Sequence, residues 1–202
     1  MAEGEDLLAA ADAARWAALQ RYCAAGSGLP GIEVEPEVLA GVSALGSGTR
    51  ALAVYEQRVA PVAGPLCVYL HGVGDPGNVG AVLRAASAFG AASVVVGQGC
   101  ADPFGPKAVR ASMGAIFTVA VARGGVDELP FERVALVPGA GQPLRGPLPN
   151  ATLLVGSERD GLPVEVVAAC ERIAHIPISG DSLNAAMAAT VALYEATRMA
   201  PP

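Results

Sequence analysis

The sequence predicts an α/β fold with a mostly parallel sheet and helices on both of its faces. After Pro65, short apolar runs rich in β-branched residues recur between glycines and prolines, which is typical of buried parallel strands. Helical segments lie between several of these runs, and this alternation favours a parallel sheet. Apolar residues form 52% of the 202 residues and charged residues only 16%, so the chain can bury a sizeable core.

The first part of the chain is less regular. The alanine-rich segment Asp6–Ala25 has helical spacing and predicts a helix, whereas Gly26–Gly48 is rich in Gly, Pro and Ser and predicts mostly loop. Ala51–Tyr55 predicts a short strand. The Pro61–Pro65 stretch predicts a linker, which divides the chain into residues 1–62 and residues 66–202.

The regular part alternates predicted strands and helices. The predicted strands are Leu66–His71, Ser93–Gly97, Ile116–Val121, Val134–Val137, Thr152–Gly156 and Ile173–Pro177. The predicted helices are Asn78–Phe89, Pro163–Glu171 and a last helix that begins after Asp181 or Ser182 and continues to Glu195. Ligands of parallel sheets bind outside the carboxyl ends of the strands, so we expect a site in the loops that follow them.

Charge and composition exclude several classes of function. The net charge is -6, with 4 basic and 8 acidic residues before the linker and 9 and 11 after it. Neither half is therefore a basic surface, and any RNA binding must depend on local arginines. Aromatic residues are only 4%, which disfavours base-stacking platforms.

The cysteines and the start of the chain indicate a cellular compartment. The cysteines are scattered without metal-ligand spacing and are interpreted as small hydrophobes in a reducing environment; they are Cys23, Cys67, Cys100 and Cys170. Met1–Asp12 is acidic and unlike a secretory signal, and no apolar run approaches the roughly 20 residues of a membrane helix. We predict a soluble cytoplasmic protein with no metal and no membrane contact.

The loop after the first core strand is rich in glycine. Gly72, Gly74 and Gly77 match the spacing of a dinucleotide-binding loop, but that reading requires an acid about 20 residues on, at the end of the next strand. The next strand ends in Val96-Gly97-Gln98 without an acid. An NAD site is therefore disfavoured.

Asp75 and Pro76 predict the start of the following helix, because Asp is a good N-cap and Pro suits the first helical position. Its buried stripe is predicted to be Val79, Val82, Ala86 and Phe89. On another face, helical side chains lean toward the N-terminus, so we expect Arg84 to lie across the glycines at 77 and 80. Its guanidinium would reach the carboxyl end of the strand, where an anion would also meet free helix amides. The alternative is a surface arginine in a solvated pair.

Two later segments carry candidate functional residues. The loop Gly156–Gly161 has glycines that let a ligand approach the backbone, and it leaves Glu158 near a strand end. The alternative is an ordinary acidic turn. The last helix has an apolar stripe and many alanines for close packing, and it could equally be an ordinary core helix; the stripe is Leu183, Met187, Val191 and Tyr194.

Together, and in this order, these segments resemble the three motifs of the SpoU/TrmH family of SPOUT RNA methyltransferases. The matching segments are Asp75–Arg84 continuing to Gly90, then Gly156–Gly161, then Ile176–Ile178 with Ser182–Asn184 and Tyr194–Glu195. Pro106–Ala115 resembles the segment that connects the family's motifs. The resemblance covers about Leu66 to Arg198, and four pieces in register outweigh the alternatives that each piece allows alone.

The resemblance implies a fold, an activity and a set of site residues. The family transfers a methyl group from S-adenosylmethionine to a ribose 2'-hydroxyl of rRNA or tRNA, and its sheet ends in a carboxyl-terminal trefoil knot, the SPOUT fold. Its members are typically homodimers whose RNA site spans both subunits. The polar active-site positions correspond to Asn78, Arg84, Glu158, Ser182 and Asn184. The cofactor contacts correspond to Val155, Gly156, Ile176, Ile178 and Leu183.

Physical chemistry limits the role that Arg84 can have. A guanidinium with a pKa above about 12 is a poor base. We expect Arg84 to bind the phosphate beside the target ribose and to stabilise negative charge on the reacting oxygen. Asn78 and Ser182 would orient Arg84 or the nucleotide, and Asn184 would order the knot loop.

The sequence also departs from the family. Ala2–Ala10 resembles the middle of an L30e-like substrate-binding domain, entered without its first helix and strand, through a misplaced start or a loss. The part not seen is commonly basic in relatives, which agrees with the acidic balance here. The spacer from Pro177 to Ser182 is shorter than usual. An alternative function is a non-catalytic RNA-binding or dimerising relative that keeps the fold.

Overall fold

The computed structural model describes residues 1–43 and 48–198, which form two sheets with helices between their strands. In the first sheet the strands are β1 (Ala2–Glu3), β2 (Ala18–Ala24), β3 (Ile32–Val34) and β4 (Ala51–Tyr55), in the order β1-β4-β2-β3. The strands of the second sheet are β5 (Leu66–Leu70), β6 (Ser93–Val96), β7 (Ala120–Arg123), β8 (Glu132–Leu136), β9 (Gln142–Pro143), β10 (Ala151–Val155) and β11 (Arg172–His175). The helices are α1 (Glu5–Ala13), α2 (Pro36–Val42), α3 (Pro76–Ala88), α4 (Pro106–Ala111), α5 (Val164–Ala168) and α6 (Ala185–Thr197).

The second sheet has the predicted parallel architecture. Its order is β7-β6-β5-β10-β8-β11-β9, and every described pair is parallel. Alternate residues of a strand point to opposite faces. Val68 and Leu70 pack in the larger core with α3 and α6, whereas Tyr69 packs on the other face with Val166 of α5. Helices therefore cover both faces, as the fold class predicts.

Most predicted strands and helices of this sheet are confirmed, with two corrections. The segment Ile116–Val121 is not one strand, because residues 115–117 form a 3-10 turn and β7 begins only at Ala120. The helix predicted over Pro163–Glu171 is shorter and spans Val164–Ala168. In the first case, Gly114 adopts a left-handed conformation with φ 90° and starts the turn. The apolar residues that follow it predicted a strand instead.

The face of α6 that packs inward is not the predicted one. Met187, Val191 and Tyr194 are exposed, whereas the buried residues of the helix are mainly alanines. Small side chains let the helix axis approach α3 and the sheet closely, so the larger apolar side chains point outward. The predicted N-cap is also wrong: Asn184 caps α6, not Asp181 or Ser182.

The first part of the chain contains more regular structure than predicted. The helix predicted over Asp6–Ala25 ends at Ala13, and Arg15 has a positive φ of 55° that turns the chain toward β2. The segment Gly26–Gly48 holds β3 and α2 rather than mostly loop; its residues 44–47 lie outside the described residues. Ala51–Tyr55 forms β4 as predicted.

The first sheet and the second share one core. Trp16 meets Phe117 edge-on, with ring centroids 5.4 Å apart, and Leu7 and Leu8 belong to the same buried cluster as the strands β5 and β10. The segment between the sheets is tied down as well, because the Ser93 hydroxyl donates to the Ala63 carbonyl at 2.7 Å. The division into residues 1–62 and 66–202, and the likeness of the first part to L30e, stay predictions.

Two further observations concern the cysteine side chains and the length and apolarity of the helices. The cysteines are unbridged, and burial raises the pKa of the Cys67, Cys100 and Cys170 thiols, which keeps them protonated near neutral pH. No helix in the described ranges combines the length and the apolarity that a membrane crossing requires.

We expect Gly80→Ala to destabilise the protein by about 1–3 kcal/mol, the usual cost of overpacking. A Cβ at position 80 would overlap the Ala108 carbonyl and lie 2.7 Å from the Ala111 Cβ, so α4 would have to move away from α3. Urea unfolding measures the change. The control is Gly74→Ala, which meets nothing within 4 Å. Equal stability of the two variants would contradict tight packing between α3 and α4.

We expect Glu171→Gln to lower the melting temperature at neutral pH and to lower it progressively less as the solution becomes more acid. Hydrogen bonds from the Arg133 side chain and backbone N–H lower the pKa of Glu171 to about 2. A lowered pKa stabilises the fold fully above the unfolded value of 4.5, and this stabilisation is lost as the pH falls from there toward 2. The melting temperatures of the wild type and of Glu171→Gln should therefore converge between pH 6 and pH 3. A difference between them that stays constant over this range would refute the linkage.

Candidate active site

The predicted site residues come from loops at the carboxyl edge of the second sheet. The loop after β5 leads into α3, the loop after β10 leads into α5, and the chain after β11 leads into α6. Because β5 and β10 are neighbours in the sheet, the loops that follow them emerge side by side. This is the edge where parallel sheets bind ligands.

A chain of side-chain hydrogen bonds joins three of these segments. The Asn78 side-chain Nδ2 donates to Glu158 Oε1, and the Asn78 side-chain Oδ1 accepts from Asn184 Nδ2 at 3.1 Å. Asn184 also uses its side-chain oxygen to cap α6, accepting from the backbone N–H groups of Ala186 and Met187 at 2.9 and 3.3 Å. The side-chain amide of Asn78 therefore links Glu158, which is 80 positions away in the sequence, to Asn184, which is 106 positions away.

The first turn of α3 is capped by the Asp75 side chain, which also contacts Lys107 of α4. Asp75 caps the helix as predicted, because its Oδ1 accepts from the Asn78 N–H at 3.0 Å. Its other oxygen accepts from Lys107 Nζ at 2.7 Å, and these contacts lower the pKa of Asp75. The expectation that an anion meets free amides here is wrong for Asn78, since the Asp75 carboxylate already occupies that position.

The loop after β10 is a tight turn with a fixed shape. Ser157 and Gly161 exchange two backbone hydrogen bonds, at 3.2 and 3.1 Å, and the Asp160 N–H donates to the Ser157 hydroxyl at 3.0 Å. Gly156 cannot carry a side chain, because a Cβ there would overlap the backbone of Gly161. Glu158, at the exposed side of this turn, is thereby directed toward Asn78.

Two cavities lie against these loops. The larger, about 690 Å³, is bounded by the end of β8 and by the chain from His175 to Leu183. The smaller, about 330 Å³, is bounded by the turn after β10 and shares Leu136, Ser182 and Leu183 with the larger. The predicted cofactor residues are divided between them: Val155 and Gly156 line the smaller, Ile176 and Ile178 the larger, and Leu183 both. Their role as cofactor contacts stays a prediction.

The backbone that borders the larger cavity is free to bind a ligand. Within the described chain, residues 176–183 make no backbone hydrogen bond with one another or with other segments. Their N–H and C=O groups, apart from the N of Pro177, therefore remain available beside apolar walls such as Ile176. Ligand sites commonly combine such walls with a few polar groups.

Arg84 lies apart from the two cavities and from the hydrogen-bonded chain. It is exposed, it has no ion pair or hydrogen bond among the described residues, and it lines neither cavity. It follows Asn78 by six residues, or about 9 Å along the helix axis. The proposed path across bare glycine backbone is wrong at Gly80, since α4 packs directly against that position. Asn78, Glu158 and Asn184 are brought together, with Ser182 on the cavity wall.

Sequence reasoning missed several residues at this edge. Leu136, Val137 and Pro138 line both cavities, and Lys107 supports the cap of α3. The first three are the last two residues of the predicted strand Val134–Val137 and the residue after it, so the rule that ligands bind at the carboxyl ends of strands could have found them. Lys107 carried no such signal. The described residues contain no cluster of three or more His, Cys, Asp or Glu side chains that could hold a metal ion.

Comparison with protein families agrees with this geometry. Residues 65–194 match the SpoU rRNA Methylase family, a range that contains the site segments described above. The chain belongs to this family. The chain is also similar to an uncharacterized tRNA/rRNA methyltransferase of Mycobacterium bovis, which is 37% identical over 199 residues, 86% of this chain and 68% of the relative.

Two other relatives have more specific names. A 23S rRNA guanosine 2'-O-methyltransferase of Bacillus subtilis is 35% identical over 62% of this chain and 55% of its own length. The crystal structure of an AdoMet-bound rRNA methyltransferase from Sinorhizobium meliloti superimposes with a TM-score of 0.84 at 28% identity, covering 96% of this SpoU-family chain and 85% of that one. The fold is therefore that of SpoU methyltransferases.

We expect Asn78 and Asn184 to be energetically coupled by about 0.5–1 kcal/mol, the worth of a typical hydrogen bond. Asn184→Ser is the informative change, because serine still caps α6 but its side chain is too short to reach Asn78. Denaturant unfolding of Asn78→Ala, Asn184→Ser and the double variant gives the coupling. Additive losses, within 0.3 kcal/mol as expected for independent sites, would mean that the bridge does not hold the segments together.

Proposed function

We propose that this SpoU-family protein transfers a methyl group from S-adenosylmethionine to a ribose 2'-hydroxyl of rRNA or tRNA. The observation that carries the proposal is the hydrogen-bonded chain from Glu158 through Asn78 to Asn184, beside two cavities. The SpoU fold does not itself require these side-chain hydrogen bonds. A chain of polar groups at the edge where ligands bind suits a reaction that must orient a hydroxyl group. The names of relatives from Bacillus subtilis and Streptomyces viridochromogenes, both 2'-O-methyltransferases, support it.

The cavities fit S-adenosylmethionine in size and chemistry. Their volumes of about 690 and 330 Å³ are in the usual range of small-molecule sites. Ile176, Ile178 and Leu183 would hold the adenine ring, and the unbonded backbone of residues 176–183 would bind its polar edge. Val155 and Gly156 would border the methionine end. When bound, the cofactor supplies an electrophilic methyl group on sulfur.

The protein's own residues would position the ribose and stabilise charge. Asn78 and Ser182 would orient the nucleotide at the cavity wall, and Glu158 would hold the Asn78 amide in place. Asn184 would fix the loop before α6 to α3. Arg84, exposed and without a partner in the described chain, would bind the phosphate next to the target ribose and stabilise the negative charge that develops on the ribose oxygen as its proton passes to solvent.

We propose that the protein acts as a homodimer. The outward face of α6 carries large apolar side chains that stay mostly exposed in the described chain: Met187 is 62% exposed, and Tyr194, which meets the Phe89 ring edge-on, is 54% exposed. A second subunit packed there would bury these side chains and lie close to Asn184, which caps the same helix. The RNA site would then extend over both subunits.

We also propose that the carboxyl-terminal segment forms the family's trefoil knot. The loop before β10 lies over the last helix: the Leu148 N–H donates to the Ala196 carbonyl at 2.8 Å, and the Gly146 N–H donates to Glu195 at 3.1 Å. On the other side of the same loop, the Leu144 N–H donates to the His175 carbonyl at 2.7 Å. These contacts are consistent with a chain end held inside a closed loop.

The activity test uses purified protein, tritiated S-adenosylmethionine and total RNA from a strain that lacks the gene. We expect label in RNA that survives alkali as a dinucleotide, because a 2'-O-methyl group blocks cleavage at that ribose. Primer extension at low nucleotide concentration then locates the site. Cofactor binding by calorimetry without any transfer would instead favour the non-catalytic alternative, and no binding would refute the proposal.

We expect Arg84→Ala to lower kcat/KM by at least about 100-fold, and Arg84→Lys to recover only part of it, because lysine keeps the charge but loses the planar fork. The methyl-transfer assay measures both variants. Calorimetry with the cofactor is the control and should show unchanged affinity, since Arg84 lines neither cavity. Near-normal transfer by Arg84→Lys would refute bidentate binding.

A further inference from the structure

A second guanidinium group stands closer to the cavities than Arg84 does. Arg159 lies in the turn after β10 and lines the smaller cavity. Among the described residues that line the two cavities, it is the one arginine or lysine. Arg159 did not emerge from the sequence, because a single arginine between Glu158 and Asp160 resembles an ordinary charged turn.

The hydrogen bonds of the turn fix the backbone around Arg159, and none of them involves its guanidinium group. The backbone bonds between Ser157 and Gly161, and the bond from the Asp160 N–H to the Ser157 hydroxyl, fix the turn on both sides of it. Glu158 accepts from Asn78 rather than from its neighbour. In the described chain Arg159 has no ion pair and no hydrogen bond, although acids flank it.

We propose that Arg159 binds a phosphate of the RNA backbone at the mouth of the smaller cavity, in addition to the phosphate proposed for Arg84. This proposal rests on the proposed function and names a further contact of the same site. A planar guanidinium can donate two parallel hydrogen bonds to phosphate oxygens. The group is exposed, so a chain of nucleotides can reach it without entering the cavity.

The negative charge of the protein favours a directed contact of this kind. With a net charge of -6, the molecule as a whole repels RNA, and binding depends on individual arginines. At this edge Glu158, Asp160 and Asp181 add negative charge. An exposed phosphate is held here only by directed hydrogen bonds, which a guanidinium provides and a diffuse positive field does not. The acids beside Arg159 would also repel a backbone that approaches in another register.

The experiment compares Arg159→Ala, Arg159→Lys and Arg172→Ala. Arg172 begins β11 at the opposite, amino edge of the sheet, so the control removes the same charge far from the site. The probe is a labelled 30-nucleotide single-stranded RNA, and its dissociation constant is measured by anisotropy between 50 and 200 mM salt. Calorimetry measures S-adenosylmethionine binding by the same variants, and melting curves verify that each is folded.

We expect Arg159→Ala to weaken RNA binding about tenfold and to reduce the slope of log affinity against log salt by about 0.7, the value for one phosphate contact on a single strand. Arg159→Lys should restore the slope but only part of the affinity. Cofactor affinity should stay within twofold, and Arg172→Ala should leave the RNA affinity unchanged.

Two results would overturn the proposal. If Arg159→Ala weakens cofactor binding as much as RNA binding, the guanidinium holds the carboxylate of the cofactor instead of a phosphate. If Arg159→Ala and Arg172→Ala bind RNA equally well, Arg159 is a solvated surface arginine. Neither measurement requires methyl transfer. An inactive wild-type protein that shows the expected RNA effect would refute the proposed function and leave the Arg159 contact standing.

Discussion

The side chain of Asn78 is the interaction on which the arrangement of the site depends. It donates to Glu158 and accepts from Asn184, so one amide fixes the relative positions of α3, the turn after β10 and the start of α6. An amide suits this place because it is a donor and an acceptor at once and can bond to a carboxylate and to a second amide. A carboxylate at 78 would repel Glu158, and an alkyl group would leave both partners unbonded.

Much of the fold follows from local sequence signals, and the errors have physical causes. The strands β5, β6 and β10 are apolar runs between glycines or prolines, so both their composition and the residues that bound them predict a strand. The segment Asp6–Ala25 misled because its alanines favour helix throughout, whereas the pairing of β2 with β4 makes its second half a strand. β9, with two residues, is too short to leave a pattern.

The site shows a similar division. The segments that contain Asn78, Glu158 and Asn184 could be found from motif spacing, but the contacts between them could not, because they join residues far apart in the sequence. α6 is apolar on every side, so hydrophobicity alone could not tell its inward alanines from its outward Met187. Asp181, Ser182 and Asn184 are all suitable caps; the bond to Asn78 favours the last.

The double use of Asn184 has a consequence for motion. The same side chain closes the first turn of α6 and holds α3, so fraying of that turn and release of the neighbouring loop belong to one local opening event rather than two. Slow amide exchange at Ala186 and Met187 would then report on the order of the whole pocket. A molecule bound in the larger cavity, which Ala188 of α6 helps to line, would therefore also protect the first turn of this helix.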